Sequence, residues 1–76
     1  RDSYRGGELN EGRLAFDNGN YARAAELFGI VIRQAPDSFE GYARRAQAND
    51  RLNRVDAAIA DYRKAVALAP SRGYLV

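Results

Sequence analysis

Apolar residues recur along this chain at the three- and four-residue steps that are typical of amphipathic helices. The clearest stripe consists of Tyr21, Ala24, Ala25, Phe28, Val31 and Ile32. A second stripe consists of Ala58, Ile59, Tyr62, Ala65, Val66 and Leu68. Pro36 and Pro70 follow the two stripes and end them, because proline has no amide hydrogen to donate. The pattern predicts an all-α chain, with these stripes on its second and fourth helices.

Two further helices are predicted from weaker stripes. The first begins near Gly7 and ends at Asn18-Gly19-Asn20, which is a turn signal. The third begins at Asp37, carries Tyr42 and several alanines, and runs to Leu52. Asn20, Asp37 and Asn53 are the predicted N-caps of the second, third and fourth helices, because their side chains accept hydrogen bonds from early helical amides.

The chain contains an internal repeat of 34 residues, marked by Ala35-Pro36 and Ala69-Pro70. The same offset maps Ala24 on Ala58 and Phe28 on Tyr62. We therefore predict a single domain over residues 1–76, made of helix-turn-helix repeats at 5–38 and 39–72. Residues 73–76 are predicted to begin a further helix or a cap.

The second helix of each pair resembles the tetratricopeptide repeat family over most of the chain. A small residue (Ala24, Ala58) is followed one turn later by an aromatic one (Phe28, Tyr62), and a proline ends the repeat. The resemblance implies a short α-solenoid of four antiparallel helices that works as a non-catalytic protein-protein interaction module. The first helices match less well, since Tyr42 has the family's aromatic character but its counterpart is Glu8.

The resemblance also implies that the first helix of each pair lines a concave groove for a peptide. The candidate groove residues are Leu9, Arg13, Phe16, Asp17, Glu40, Arg44, Gln47 and Arg51. Chaperone-binding members hold a C-terminal carboxylate with a Lys and two Asn, and the matching positions here are Leu9, Arg13 and Arg44, so that clamp is not present in this form.

Arg13 and Arg44 are nevertheless candidate contacts for an acidic protein or peptide partner, because a guanidinium binds a carboxylate through two hydrogen bonds. The alternative is local pairing, since Arg13 lies four residues from Asp17 and Arg44 four residues from Glu40.

The C-terminal edge is a second candidate surface. Repeats of this kind bury their apolar faces by stacking, and about three are normally needed for stability. Two repeats leave an apolar edge, formed by Ile59, Val66, Tyr74, Leu75 and Val76. We expect this edge to be covered either by a further repeat or capping helix of a longer array, or by another chain. Self-association into a homodimer through this edge is the alternative to a peptide-binding role.

The chain has no His and no Cys. Without a histidine base to activate a hydroxyl and without the usual zinc ligands, we expect neither an enzyme nor a metal site, and no cofactor. The formal net charge is only +2, and arginines alternate with acids, so no nucleic-acid partner is expected.

No apolar run approaches the roughly 20 residues of a membrane span, and no leader is recognisable, so we expect no membrane insertion. The expected setting is the cytoplasm or periplasm. Eleven of the twelve basic residues are Arg, and the chain is rich in Ala. We interpret that composition as bacterial.

Overall fold

The computed structural model describes residues 7–69, which form four α-helices. They are α1 (Gly7–Asp17), α2 (Tyr21–Gln34), α3 (Phe39–Arg51) and α4 (Val55–Leu68). Each helix packs on the next one along the chain. This arrangement confirms the predicted all-α class. The predictions for residues before Gly7, for 73–76 and for Tyr74, Leu75 and Val76 lie outside the described part of the chain.

The core is centred on α2, which lies between α1 and α3. Phe28 is only 1% exposed and forms the centre of a cluster with Ala24, Ala25 and Ala48. Ala24 and its repeat counterpart Ala58 are both buried, as expected for small residues that allow two helices to approach closely.

Gly12 of α1 lies directly against the Phe28 ring of α2. A Cβ atom at this position would lie 2.5 Å from Cε1 and 2.8 Å from Cδ1 of Phe28. The absence of a side chain at Gly12 therefore makes the space that the Phe28 ring occupies.

The turns end the helices where the sequence pattern predicts, but two of the three caps differ. The Asn20 side chain accepts a hydrogen bond from the Arg23 amide at 3.3 Å, which confirms that cap. The third helix is capped by Ser38 and not by Asp37, since extended Ser38 directs its hydroxyl to the Gly41 amide at 3.3 Å.

The predicted cap of the fourth helix at Asn53 is also wrong. Asn53 has a left-handed backbone with φ of 63°, and Arg54 occupies the N-cap position without a side-chain hydrogen bond. Asparagine adopts a positive φ more readily than most residues, so Asn53 suits this position of the turn. Among the helices at residues 7–69, none is long and apolar enough to cross a membrane.

Replacing Gly12 with Ala tests the contact with Phe28. We expect a net loss of about 1–2 kcal/mol in the free energy of unfolding, because overpacking of a buried ring outweighs the better helix propensity of Ala. The matched control is Gly29→Ala in the interior of α2, where the new Cβ would meet its nearest neighbour, Nη1 of Arg45, at an ordinary 3.6 Å. This control should gain about 0.5–1 kcal/mol.

Urea unfolding followed by circular dichroism measures both variants. Effects of the same sign at both glycines would contradict the packing described for Phe28.

Candidate functional site

Three depressions lie along α1 and α3 and share lining residues. The central one, of about 150 Å³, is lined by Arg13, Phe16, Asp17, Phe28, Arg44 and Gln47. The one toward the start of α3 is lined by Phe39, Glu40, Ala43, Arg44 and Gln47. The one toward its end is lined by Phe16, Gln47, Asp50, Arg51 and Tyr62. We call this continuous surface the groove.

Seven of the eight candidate groove residues line these depressions. Gln47 lines all three, and Arg44 lines two. Leu9 differs from the other seven because it is half-buried and packs against the Phe28 cluster.

Two arginines of the groove differ in their partners. The Arg44 guanidinium contacts Oε2 of Glu40 at 3.3 Å through both Nε and Nη2, as local pairing along the helix would predict. Both side chains are more than a third exposed, so this pair contributes little. Arg13 makes no ion pair with Asp17 or with any other residue within 7–69.

Arg51 is held in place by aromatic rings from the first repeat. Its guanidinium carbon lies 5.2 Å from the ring centre of Phe16 and 5.5 Å from that of Tyr21, and Nη1 donates to the Tyr21 hydroxyl at 3.1 Å. The two rings meet edge to face at 5.0 Å. Arg51 therefore joins α3 to the turn between α1 and α2 and forms a wall of the groove.

The sequence pattern predicts Tyr62 on the apolar stripe of the fourth helix and does not predict Phe39 as a site residue. Both line the groove in the structure. Phe39 is the first residue of α3, and its position depends on the cap at Ser38, which the sequence pattern placed one residue earlier. Tyr62 of α4 is 42% exposed and lines the depression toward the end of α3.

The second repeat contains a buried polar network that the sequence pattern did not predict. Asp61 of α4 accepts hydrogen bonds from Arg45 of α3, at 2.8 Å from Nε and 2.9 Å from Nη2. It also accepts one from Nδ2 of Asn49 at 3.1 Å. The hydrogen bond to Asp61 raises the pKa of Arg45, and burial opposes the shift. The hydrogen bonds from Arg45 and Asn49 to Asp61 therefore hold α4 against α3.

A signal for this network exists in the repeat. The position of Asp61 corresponds to Leu27, which is buried in the first repeat, and the positions of Arg45 and Asn49 correspond to Glu11 and Ala15. The two repeats therefore differ at three positions that face one another in the second repeat. Such a set of differences indicates that the side chains at these positions bind one another.

A wide cleft of about 690 Å³ lies between α2 and α4. Alanines form much of its walls, and the network of Arg45, Asn49 and Asp61 lies at its base. Because these polar groups hydrogen-bond one another, they are not available to a ligand, and only the groups at the rim of the cleft could contact one. We assign no site here.

The two described members of the predicted C-terminal edge are exposed. Ile59 is 46% and Val66 is 76% exposed, so these residues of the α4 stripe are not part of the core. Val55 and Tyr62 are exposed on the same helix. Only Ala58 and Ala65 of the predicted stripe are buried, on the side facing α3.

Comparisons with known proteins agree with the repeat pattern. The sequence profile of the tetratricopeptide repeat family matches residues 9–72. Among curated proteins, the chain is similar to a protein SGT1 homolog from Oryza sativa subsp. japonica, with 39% identity over 62 residues. That match covers 82% of this chain and 17% of the relative, so the chain spans a small part of the relative's length. No solved structure matches the chain.

The polar network leads to a stability prediction. Replacing Asp61 with Ala leaves the partly buried Arg45 guanidinium and the Asn49 amide without their acceptor, and should cost about 2–3 kcal/mol in the free energy of unfolding. Asp50→Ala, an exposed change on α3, should stay within about 0.5 kcal/mol of the wild type.

The triple variant D61L/R45M/N49A replaces the whole network with apolar packing and should recover most of the loss. Urea unfolding of the four proteins measures these differences. An Asp61→Ala variant as stable as the Asp50→Ala control would contradict a role for the network in holding α4.

Proposed function

The chain belongs to the tetratricopeptide repeat family, and we propose that it binds an extended peptide of a partner protein in the groove, without catalysis. The observation that carries this proposal is the position of Gln47, which lines all three depressions at the middle of α3. Its exposed amide both donates and accepts hydrogen bonds, as does the backbone of an extended peptide. A continuous groove with such a group at its centre fits a peptide better than a small molecule.

The charges of the groove support a peptide with a single carboxylate at its centre. Arg13 and Arg44 come from different helices and line the same central depression, where their guanidinium groups can bind one carboxylate. Asp17 and Glu40 line the groove as well and disfavour a strongly acidic ligand. Phe39 gives the neighbouring depression an apolar wall for the side chain next to that carboxylate.

Replacing Arg44 with Ala tests this assignment. Loss of a charge-assisted hydrogen bond should weaken the binding of a carboxylate-bearing peptide by about 1.5–3 kcal/mol. Arg33→Ala removes the same charge from an exposed position on α2, outside the residues that line the groove, and should leave affinity nearly unchanged. Fluorescence anisotropy with a labelled panel of peptides, graded from neutral to singly and multiply acidic, measures the affinities.

An equal loss at Arg44 and Arg33 would contradict the proposal, because it would indicate attraction by net charge alone. Tightest binding by the most acidic peptides would also contradict it, since Asp17 and Glu40 should oppose them.

Self-association is the second candidate function, and the exposed apolar face of α4 favours it. Val55, Ile59, Tyr62 and Val66 are each at least 42% exposed. In the first repeat, the counterparts of the last three are Ala25, Phe28 and Ile32, all buried in the packing of α2. The same face of the repeat is therefore covered in one case and open in the other, and a second copy is the candidate cover.

A further inference from the structure

We propose that two copies of this chain pair through α4 in antiparallel orientation, with Asp56 of each copy against Arg63 of the other. This inference rests on the second candidate function and gives it a register. The spacing of the exposed apolar residues, their symmetry and the charges beside them support this pairing.

The exposed apolar residues of α4 form one narrow seam. Val55, Ile59, Tyr62 and Val66 follow one another at steps of four, three and four residues. On an α-helix with about 100° per residue they fall within roughly 60° of its circumference. This is the spacing by which two helices pack side by side in a coiled coil.

The seam is symmetric about the midpoint between Ala60 and Asp61. When a second α4 is laid against it in the opposite direction, Val55 faces Val66 of the second copy, and Ile59 faces Tyr62 of the second copy. A parallel pair would not use this symmetry. In the antiparallel orientation, the apolar seam of α4 therefore matches the seam of an identical helix.

The charges beside the seam are also self-complementary. Asp56 and Arg63 are seven residues apart and lie on the same flank, and neither makes an ion pair among residues 7–69. The opposite flank consists of Ala58 and Ala65, which are buried on the side of α3. In the antiparallel pair, the exposed flanks meet, so that Asp56 of one copy lies opposite Arg63 of the other, twice.

Asp56 and Arg63 also favour a second copy over a further stacked repeat as the partner of α4. Their counterparts on α2 are Ala22 and Gly29, which are small and uncharged. Where α3 packs on α2, Nη1 of Arg45 lies 3.6 Å from the point that a Cβ on Gly29 would occupy. Arg63 would place a guanidinium group in that space, against the equivalent of Arg45. The flank of α4 therefore suits a second copy better than a helix like α3.

Sedimentation equilibrium of the 76-residue chain over a dilution series tests the proposal. The seam is small, so we expect a weak dimer with Kd on the order of 100 µM. Asp56→Arg and Arg63→Asp each convert two attractive pairs into two repulsive ones and should weaken dimerisation roughly tenfold. The double variant D56R/R63D restores both pairs and should dimerise like the wild type.

Mixing the two single variants gives a sharper test. In the mixed dimer, two arginines of one chain face two aspartates of the other, so the mixture should dimerise although each variant alone does so poorly. Circular dichroism of each variant checks that it is folded. Because the chain has no Cys, V55C and V66C give a second readout that needs no charge change. Under oxidation their mixture should form a mixed disulfide far more readily than either variant forms one with itself.

A chain that stays monomeric at the highest soluble concentration would overturn both this register and the second candidate function. The register alone would be overturned by a different result. In that case the chain dimerises, but the charge variants do not change its Kd, mixing them does not strengthen dimerisation, and no V55C–V66C disulfide is preferred. Peptide binding in the groove is measured separately, so either result leaves the first candidate function standing.

Discussion

The burial of Phe28 between α1 and α3 is the contact on which the rest of the structure depends. Its ring occupies the space left by Gly12 and packs on Ala24, Ala25 and Ala48, so it holds the two helix pairs together. Because α2 packs on both α1 and α3, side chains of these two helices line the same depressions. The central depression has Phe28 in its lining, which makes the core and the groove parts of the same packing arrangement.

The second repeat uses different interactions to reach the same fold. Leu27 packs in the first repeat, whereas its counterpart Asp61 binds Arg45 and Asn49 through three hydrogen bonds. Such a network fixes α4 on α3 through directional bonds, with little apolar burial. The larger apolar side chains of α4, Ile59 and Val66 among them, then lie on its outer face. Within residues 7–69, α3 packs on the equivalent face of α2 and no helix packs on this face of α4, which lies apart from the centre of the groove.

The repeat interval predicted the number of helices, their ends and the small residues at Ala24 and Ala58, because these features follow from local spacing and proline positions. The network around Asp61 was not predicted, since it depends on three residues that face each other only after folding. The caps at Asp37 and Asn53 were wrong for a related reason. Neighbouring residues such as Asp37 and Ser38 can both act as acceptors, and the turn geometry decides between them. Groove membership was predicted for seven residues that line the three depressions, while Leu9 packs on the core, because spacing along one helix does not determine which face the neighbouring helix covers.

The central claim is that one stacked core presents two surfaces, the groove and the seam of α4, which share only Tyr62. Backbone amide chemical shifts of the isotopically labelled chain test it most directly, in one series with rising protein concentration and another with the best-binding acidic peptide. We predict that concentration moves the amides of α4 around Val55, Ile59 and Arg63, and that the peptide moves those of α1 and α3 around Arg13 and Gln47. Shifts that coincide in the two series, or that concentrate in the cleft between α2 and α4 around Ala22 and Ala57, would contradict it.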